Sequence, residues 1–141
     1  GGEAWARTVG WSVVIPADPT VGVLSDIRTA VSEAVTNSII HAYKGKPKNS
    51  RGNVNVIRIK CVRNDYTLDL YVEDFGCGID DIEKAMQPLY TSAPELERSG
   101  LGFTVMESFM DYVEVESEVG KGTKIHMRKY FEYKIVFVLI K

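Results

Sequence analysis

At 141 residues the chain has single-domain length, enough to bury roughly two thirds of the surface its unfolded form exposes. Hydrophobic residues at 45% and charged residues at 26% lie in the ordinary globular range, and a net charge of −2 excludes nucleic acid held by general electrostatics. Cys61 and Cys77 make neither a disulfide framework nor a metal knuckle and read as reduced thiols of a cytoplasmic protein; the Gly1-Gly2 start lacks signal-peptide features, and no apolar run approaches the ~20 residues of a membrane span.

Residues Glu3 to Ile15 read as a short helix ended by Pro16, with Asp18-Pro19-Thr20 as turn and cap. From Thr20 to about Tyr43, the positions Val23, Leu24, Ile27, Val31, Ala34, Val35 and Ile39 recur at three and four and predict a long helix with one buried stripe. Lys44 to Gly52 is a polar, basic loop that reads as a solvated connector. Val54 to Cys61 and Leu68 to Val72 alternate about Asn64-Asp65 and predict an antiparallel hairpin. Asp80 caps a short helix to about Met86, and Gln87 to Ser99 reads as a long loop of the kind that forms lids. Leu101 to Asp111 is then a helix, and Val113–Glu116 with Thr123–Met127 a hairpin about Gly120-Lys121-Gly122. Helices grouped before and between hairpins predict an α+β two-layer sandwich with helices on one face of a mixed, mainly antiparallel sheet.

Glu33 and Asn37 sit four apart inside the long apolar helix, so both face one way, about 5–6 Å between Cβ atoms. A carboxylate and a carboxamide there each cost free energy unless paired, and together they suit a hydrated divalent cation and a reacting hydroxyl. Asp74-Phe75-Gly76-Cys77-Gly78 delivers an acceptor-only carboxylate at a strand end, with glycines that let backbone approach a flat ligand carrying an exocyclic amine. Arg98-Ser99-Gly100-Leu101-Gly102 opens a helix whose exposed N–H groups and positive dipole end suit phosphates, with Arg98 either a bidentate cation for them or simply a solvated loop arginine. Thr123 offers a hydroxyl to the Asp74 network, directly or through water, or is simply a β-branched strand residue. His41, one turn after Asn37, either faces the same ligand or is a structural, hydrogen-bonded histidine; the latter is favoured.

In chain order, Glu33-x-x-x-Asn37, Asp74-x-Gly76-x-Gly78, Gly100-x-Gly102 and Gly122-Thr123 resemble the motif set of the GHKL ATPases, the superfamily of gyrase and histidine kinases built on the Bergerat nucleotide fold. Val31 to Asn37, Gln87 to Thr91, Pro94 to Gly100 and Gly102 to Glu107 are closer still to the sporulation anti-sigma F family of serine kinases and sigma-factor inhibitors, over about Glu3 to Tyr130. The resemblance implies ATP or ADP with Mg²⁺ as cofactors. Glu33 becomes general base for a serine hydroxyl, and Asn37 the Mg²⁺ ligand. Asp74 binds adenine with Gly76, Gly78 and Thr123 around it. Gly100 and Gly102, with Ser99 and Leu101, cradle the phosphates, and Arg98 contacts the terminal one.

The same resemblance makes residues 1–15 a partner-binding helix, with Arg7 on the surface that holds both sigma factor and anti-anti-sigma substrate, residues 87–100 an ATP lid, and residues 131–141 an atypical tail. It implies a homodimer, with neither nucleic acid nor membrane as a direct partner. The family begins with a strand that helps form the dimer, and this chain is expected to open almost directly on the helix. Lys134 to Lys141 replaces a polar tail with a run of high β propensity that reads either as a cover for a bare sheet edge or as an out-of-frame addition. Two alternatives stand beside the kinase: a sigma-binding module ordered by ATP without turnover, and a detached histidine-kinase catalytic domain, which lacks a phosphoacceptor histidine on a dimerisation helix.

Overall fold

The computed structural model of the protein describes residues 11–14, 19–87, 101–134 and 136–139. Strand β1 (Trp11–Val14) precedes helix α1 (Pro19–Asn37), a single π-helical turn (Ser38–Ala42), β2 (Ile57–Arg63), β3 (Thr67–Asp74), α2 (Ile82–Met86), α3 (Leu101–Phe109), β4 (Tyr112–Glu118), β5 (Gly122–Tyr130) and β6 (Val136–Leu139). Four strands form the main sheet in the order β2-β3-β5-β4, and every described pairing is antiparallel. The expected mixed sheet is therefore antiparallel throughout its described part, because β2–β3 and β4–β5 are hairpins and β3 meets β5 head to tail.

Alternation sorts the sheet's side chains. The register places Leu68, Leu70, Val72 and Asp74 beside Lys129, Met127, Ile125 and Thr123 on one face. Their apolar members join Ile27, Ala30, Val31 and Ala34 of α1 and Phe103, Met106 and Met110 of the α3 segment in one buried core. Burial of each large member stabilises the fold by about 1.5–3 kcal/mol. Asp69, Tyr71, His126 and Arg128 occupy the opposite face, where Asp69 accepts hydrogen bonds from Arg128 Nε (2.8 Å) and pairs with His126 Nε2 (2.6 Å).

Proline opens α1 at the first helical position, where a missing N–H costs nothing. The helical stripe holds through Ala34 but not to Ile39, which is 46% exposed. The physical reason is the π turn: Tyr43 N–H reaches back to the Ser38 carbonyl at 3.0 Å, and the extra residue in that turn swings Ile39 and Ile40 outward. The short helix α2 is capped one residue later than expected, by Asp81 rather than Asp80: Asp81 Oδ1 accepts the Lys84 N–H at 3.1 Å.

The largest correction falls at the chain ends. The helix expected over Glu3 to Ile15 is, in its described part, strand β1, which pairs antiparallel with β6 so that Val13 lies opposite Phe137 and Val14 opposite Val136. β-branched and aromatic residues fit a pleated ladder better than a helix, and a matching strand elsewhere in the chain overrides the helical reading. In its described part the tail pairs with β1 and with no edge of the main sheet; β1 and β6 make a separate two-stranded sheet. Arg7 lies outside the described residues.

Candidate functional site

Asp74 ends β3 on the helix-facing side and is 5% exposed. A buried carboxylate must be satisfied, and three donors converge on it. Ser38 Oγ donates to Oδ2 at 3.0 Å, while the N–H groups of Gly76 and Thr123 donate to Oδ1 at 3.1 and 3.2 Å. A carboxylate offers about four acceptor sites, so one remains for a ligand N–H. Ser38 comes from the π turn and Thr123 from the start of β5, where register sets it directly across from Asp74. Thr123 contributes its backbone N–H to Asp74. Its hydroxyl instead lies 2.9 Å from Ser117 Oγ, which also donates to the Gly122 carbonyl and accepts the Ile79 N–H at 2.7 Å.

Beside Asp74 lies a cleft of about 240 Å³. Ile79, Ala85, Phe103 and Ile125 give it apolar walls, and Asn37, Ser38, His41, Asp74, Cys77 and Thr123 supply the polar groups. A flat heterocycle with an exocyclic amine fits such a lining: apolar faces for the ring, one open carboxylate acceptor for the amine. Gly78 forms part of the wall at φ +76°, and a Cβ there would strike the Glu118 carbonyl carbon at 2.8 Å. Gly76 holds the turn by donating to Asp74, and Cys77 N–H bonds the Ala42 carbonyl at 3.2 Å, tying the loop to the π turn.

Asn37 lines the cleft, and Gly102, buried near the start of α3, packs against its side chain. The Asn37 amide and the first turn of α3 therefore meet beside the cleft. Glu33 sits one turn earlier on α1, half-buried, and is not among the residues that line the cleft. Leu101 opens α3. Arg98, Ser99, Gly100 and the expected lid, beyond Gln87, fall outside the described residues.

Sequence reasoning missed Ser38 and Ser117. Ser38 could have been found, since it extends the buried series Ile27, Val31, Ala34 by one more step of four and a buried hydroxyl on an apolar stripe needs a partner. His41 is exposed and lines the cleft. Among the described residues no group of three or more His, Cys, Asp or Glu side chains forms a metal cluster, and no helix is long and apolar enough to cross a membrane.

The sequence profile described as histidine kinase-like ATPase domain matches residues 3–129. The anti-sigma F factor of Clostridium acetobutylicum is 54% identical over 129 residues, covering 92% of this chain and 85% of that protein. The anti-sigma F factor of Geobacillus kaustophilus is 49% identical over 128 residues, covering 91% and 84%. Among solved structures, the histidine kinase domain from the Erythrobacter litoralis EL346 blue-light activated histidine kinase superposes with a TM-score of 0.57 at 21% identity, over 79% of this chain and 46% of that one. The catalytic domain of histidine kinase ThkA gives 0.54 at 17%, over 76% and 66%. At such identities these structures establish the fold alone.

Proposed function

This chain belongs to the histidine kinase-like ATPase family, in its anti-sigma F branch, and we propose that it is a cytoplasmic, homodimeric anti-sigma factor that holds a sporulation sigma factor and phosphorylates an anti-anti-sigma factor on serine. The single observation that carries the nucleotide part is Asp74, buried, triply hydrogen-bonded and left with one acceptor facing an apolar cleft. The sigma factor and the anti-anti-sigma substrate rest on the relatives' identity and on the family resemblance of the Arg7 and Arg98 segments.

Bound Mg²⁺-ATP supplies the transferable phosphoryl group and a neutralising cation. The protein's share is placement and charge, which is most of what phosphoryl transfer needs. Asp74 fixes the base by accepting its amine, and Asn37 presents its amide oxygen where the cation is held. Glu33 takes the proton of the incoming serine hydroxyl. Arg98 and the amides of the Gly100 to Gly102 segment hold the terminal phosphate.

A second reading, an ATP-ordered sigma clamp without turnover, is favoured by one observation: Asn37 lines the cleft and Glu33 does not. Sigma binding in the presence and absence of ATP, followed by fluorescence anisotropy, tests the part both readings share. Tighter binding with ATP is expected; equal affinity without nucleotide contradicts both.

A further inference from the structure

From Ala34 to Asn64 the chain carries Lys44, Lys46, Lys48, Arg51, Arg58, Lys60 and Arg63 and no Asp or Glu, although the whole protein has 19 acidic residues against 17 Lys and Arg. A solvated connector would explain the charges but not the order that the structure imposes on them. Lys48 bridges antiparallel to Val54, Asn55 N–H donates to the Pro47 carbonyl at 2.9 Å, and Asn55 Nδ2 donates to the Lys46 carbonyl at 2.9 Å. Asn49 closes the tip, its Oδ1 accepting the N–H groups of Arg51 and Asn53, each at 2.9 Å.

The result is a stapled arm with its cations outward. Lys44, Lys46, Lys48 and Arg51 are all exposed, and among the described residues none of them forms an ion pair, whereas Arg58, Lys121, Arg128, Lys129 and Lys134 do. Like charges fixed in one arm repel, and an anionic partner relieves that repulsion. Apolar groups lie beside them: Val54 is 67% exposed, Val56 51% and Phe75 50%. The Tyr43 hydroxyl ties these together, donating to the Val56 carbonyl at 2.5 Å and accepting the Phe75 N–H at 2.8 Å, directly after Asp74.

We propose that the arm of residues 43–56, with Phe75, is a docking surface for an extended acidic segment of a partner protein that carries apolar side chains between its carboxylates. Charge complementarity selects the acid, and the exposed valines and phenylalanine select a segment bearing apolar side chains over duplex nucleic acid, which uses the cations alone; a broad polyanionic surface, membrane included, also meets net negative charge on the rest of the molecule, since the whole chain carries −2 although the four cations of the arm stand without a carboxylate. The inference rests on this geometry and not on the kinase reading. Because Tyr43 joins the arm to the loop after Asp74, the docked segment sits against an edge of the nucleotide cleft.

Fluorescence anisotropy of a short labelled peptide alternating Glu and Leu tests it, with a Glu/Ser peptide, duplex DNA and phosphatidylserine vesicles as comparisons. Wild type is expected to prefer the Glu/Leu peptide. The combined variant Lys44→Glu, Lys46→Glu, Lys48→Glu, Arg51→Glu is expected to bind it roughly tenfold or more weakly, a loss of ~1.4 kcal/mol. Val54→Ser with Val56→Ser is expected to erase the preference for leucine while keeping the charge. ATP affinity by calorimetry stays at wild-type level in both variants, which separates failure here from failure of the nucleotide reading. No binding of the peptide by wild type, unchanged affinity after charge reversal, or tighter binding of DNA or vesicles than of the peptide would overturn the proposal.

Discussion

Gly102 lies so close to the Asn37 side chain that a Cβ on it would fall 2.5 Å from Asn37 Nδ2 and 2.8 Å from Oδ1. The start of α3 is therefore pressed against the one amide on α1 that lines the cleft, and the two helices share this contact as part of their common packing. Gly102→Ala forces Asn37 out of position. It should cost about 1–3 kcal/mol of stability through overpacking and weaken ATP binding more than a comparable change in the core, such as Met106→Leu. Thermal unfolding and calorimetry on the same preparations separate the two effects.

Asp74→Asn changes one oxygen to an NH₂ with almost no change of shape. The Gly76 and Thr123 N–H groups keep an acceptor, and the Ser38 hydroxyl turns to accept instead of donate. The fold is expected to survive while the group offered to the ligand amine changes from acceptor to donor. ATP affinity should fall by about 1.5–3 kcal/mol, roughly ten- to a hundredfold in Kd. Asp74→Ala, by contrast, takes the side-chain acceptor from the Gly76 and Thr123 N–H groups and leaves the Ser38 hydroxyl with the Ala34 carbonyl at 3.4 Å, and should lower the unfolding midpoint as well. Unchanged ATP affinity in Asp74→Asn would show that the fourth acceptor site is not what the ligand reads.

Much of this site is legible in the sequence, and the part that is not has a common cause. Asp74, Gly76 and Gly78 announce themselves because the acceptor and the conformational freedom lie within one short segment. Ser38 reaches Asp74 across a separation of 36 residues and Thr123 across 49, so the role of Ser38, and the use of the Thr123 backbone N–H in place of the hydroxyl the sequence suggests, appear only once the strand register and the π turn are known. The hairpins follow from alternation, which is a local property. β1 did not follow, because whether Trp11–Val14 is helix or strand depends on Val136–Leu139, at the far end of the chain. Ile39 failed for a smaller version of the same reason, one inserted residue in a turn.

Asp69 gives the fold a defined acid limb. Burial alone would raise its carboxyl pKa, but hydrogen bonds from Arg128 and His126, and the charge of both, outweigh burial and hold it below the usual carboxylate range. An unfolded aspartate titrates near ~3.9. The native state gains stability from the charged form that is complete above that pH and lost as pH falls through the lower folded value. Denaturant unfolding measured from pH 7 down to acid should show this decline, and Asp69→Asn should be less stable at neutral pH and flatter below it. A variant with an unchanged acid slope would contradict the assignment.

The two thiols should behave differently. Burial, with Asp69 adding to it, pushes the Cys61 thiol up to about 12, so it stays protonated and unreactive at mild pH. Cys77 is exposed and lines the cleft, its Sγ donating to the His41 carbonyl at 3.3 Å. At pH 8 a disulfide reagent is expected to titrate one thiol quickly, lost in Cys77→Ser, and the second only after unfolding. ATP or ADP should slow the fast phase. No protection by nucleotide would place the base elsewhere than in this cleft.

Whether the helix that carries Asn37 also carries a catalyst separates a kinase from a clamp. Transfer of label from γ-labelled ATP to a cognate anti-anti-sigma protein, measured side by side for wild type and Glu33→Ala with ATP binding checked in both, decides it. The prediction is phosphoserine with wild type, and bound ATP but no transfer with Glu33→Ala. Transfer by Glu33→Ala at the wild-type rate, or none by wild type that binds ATP, would contradict it.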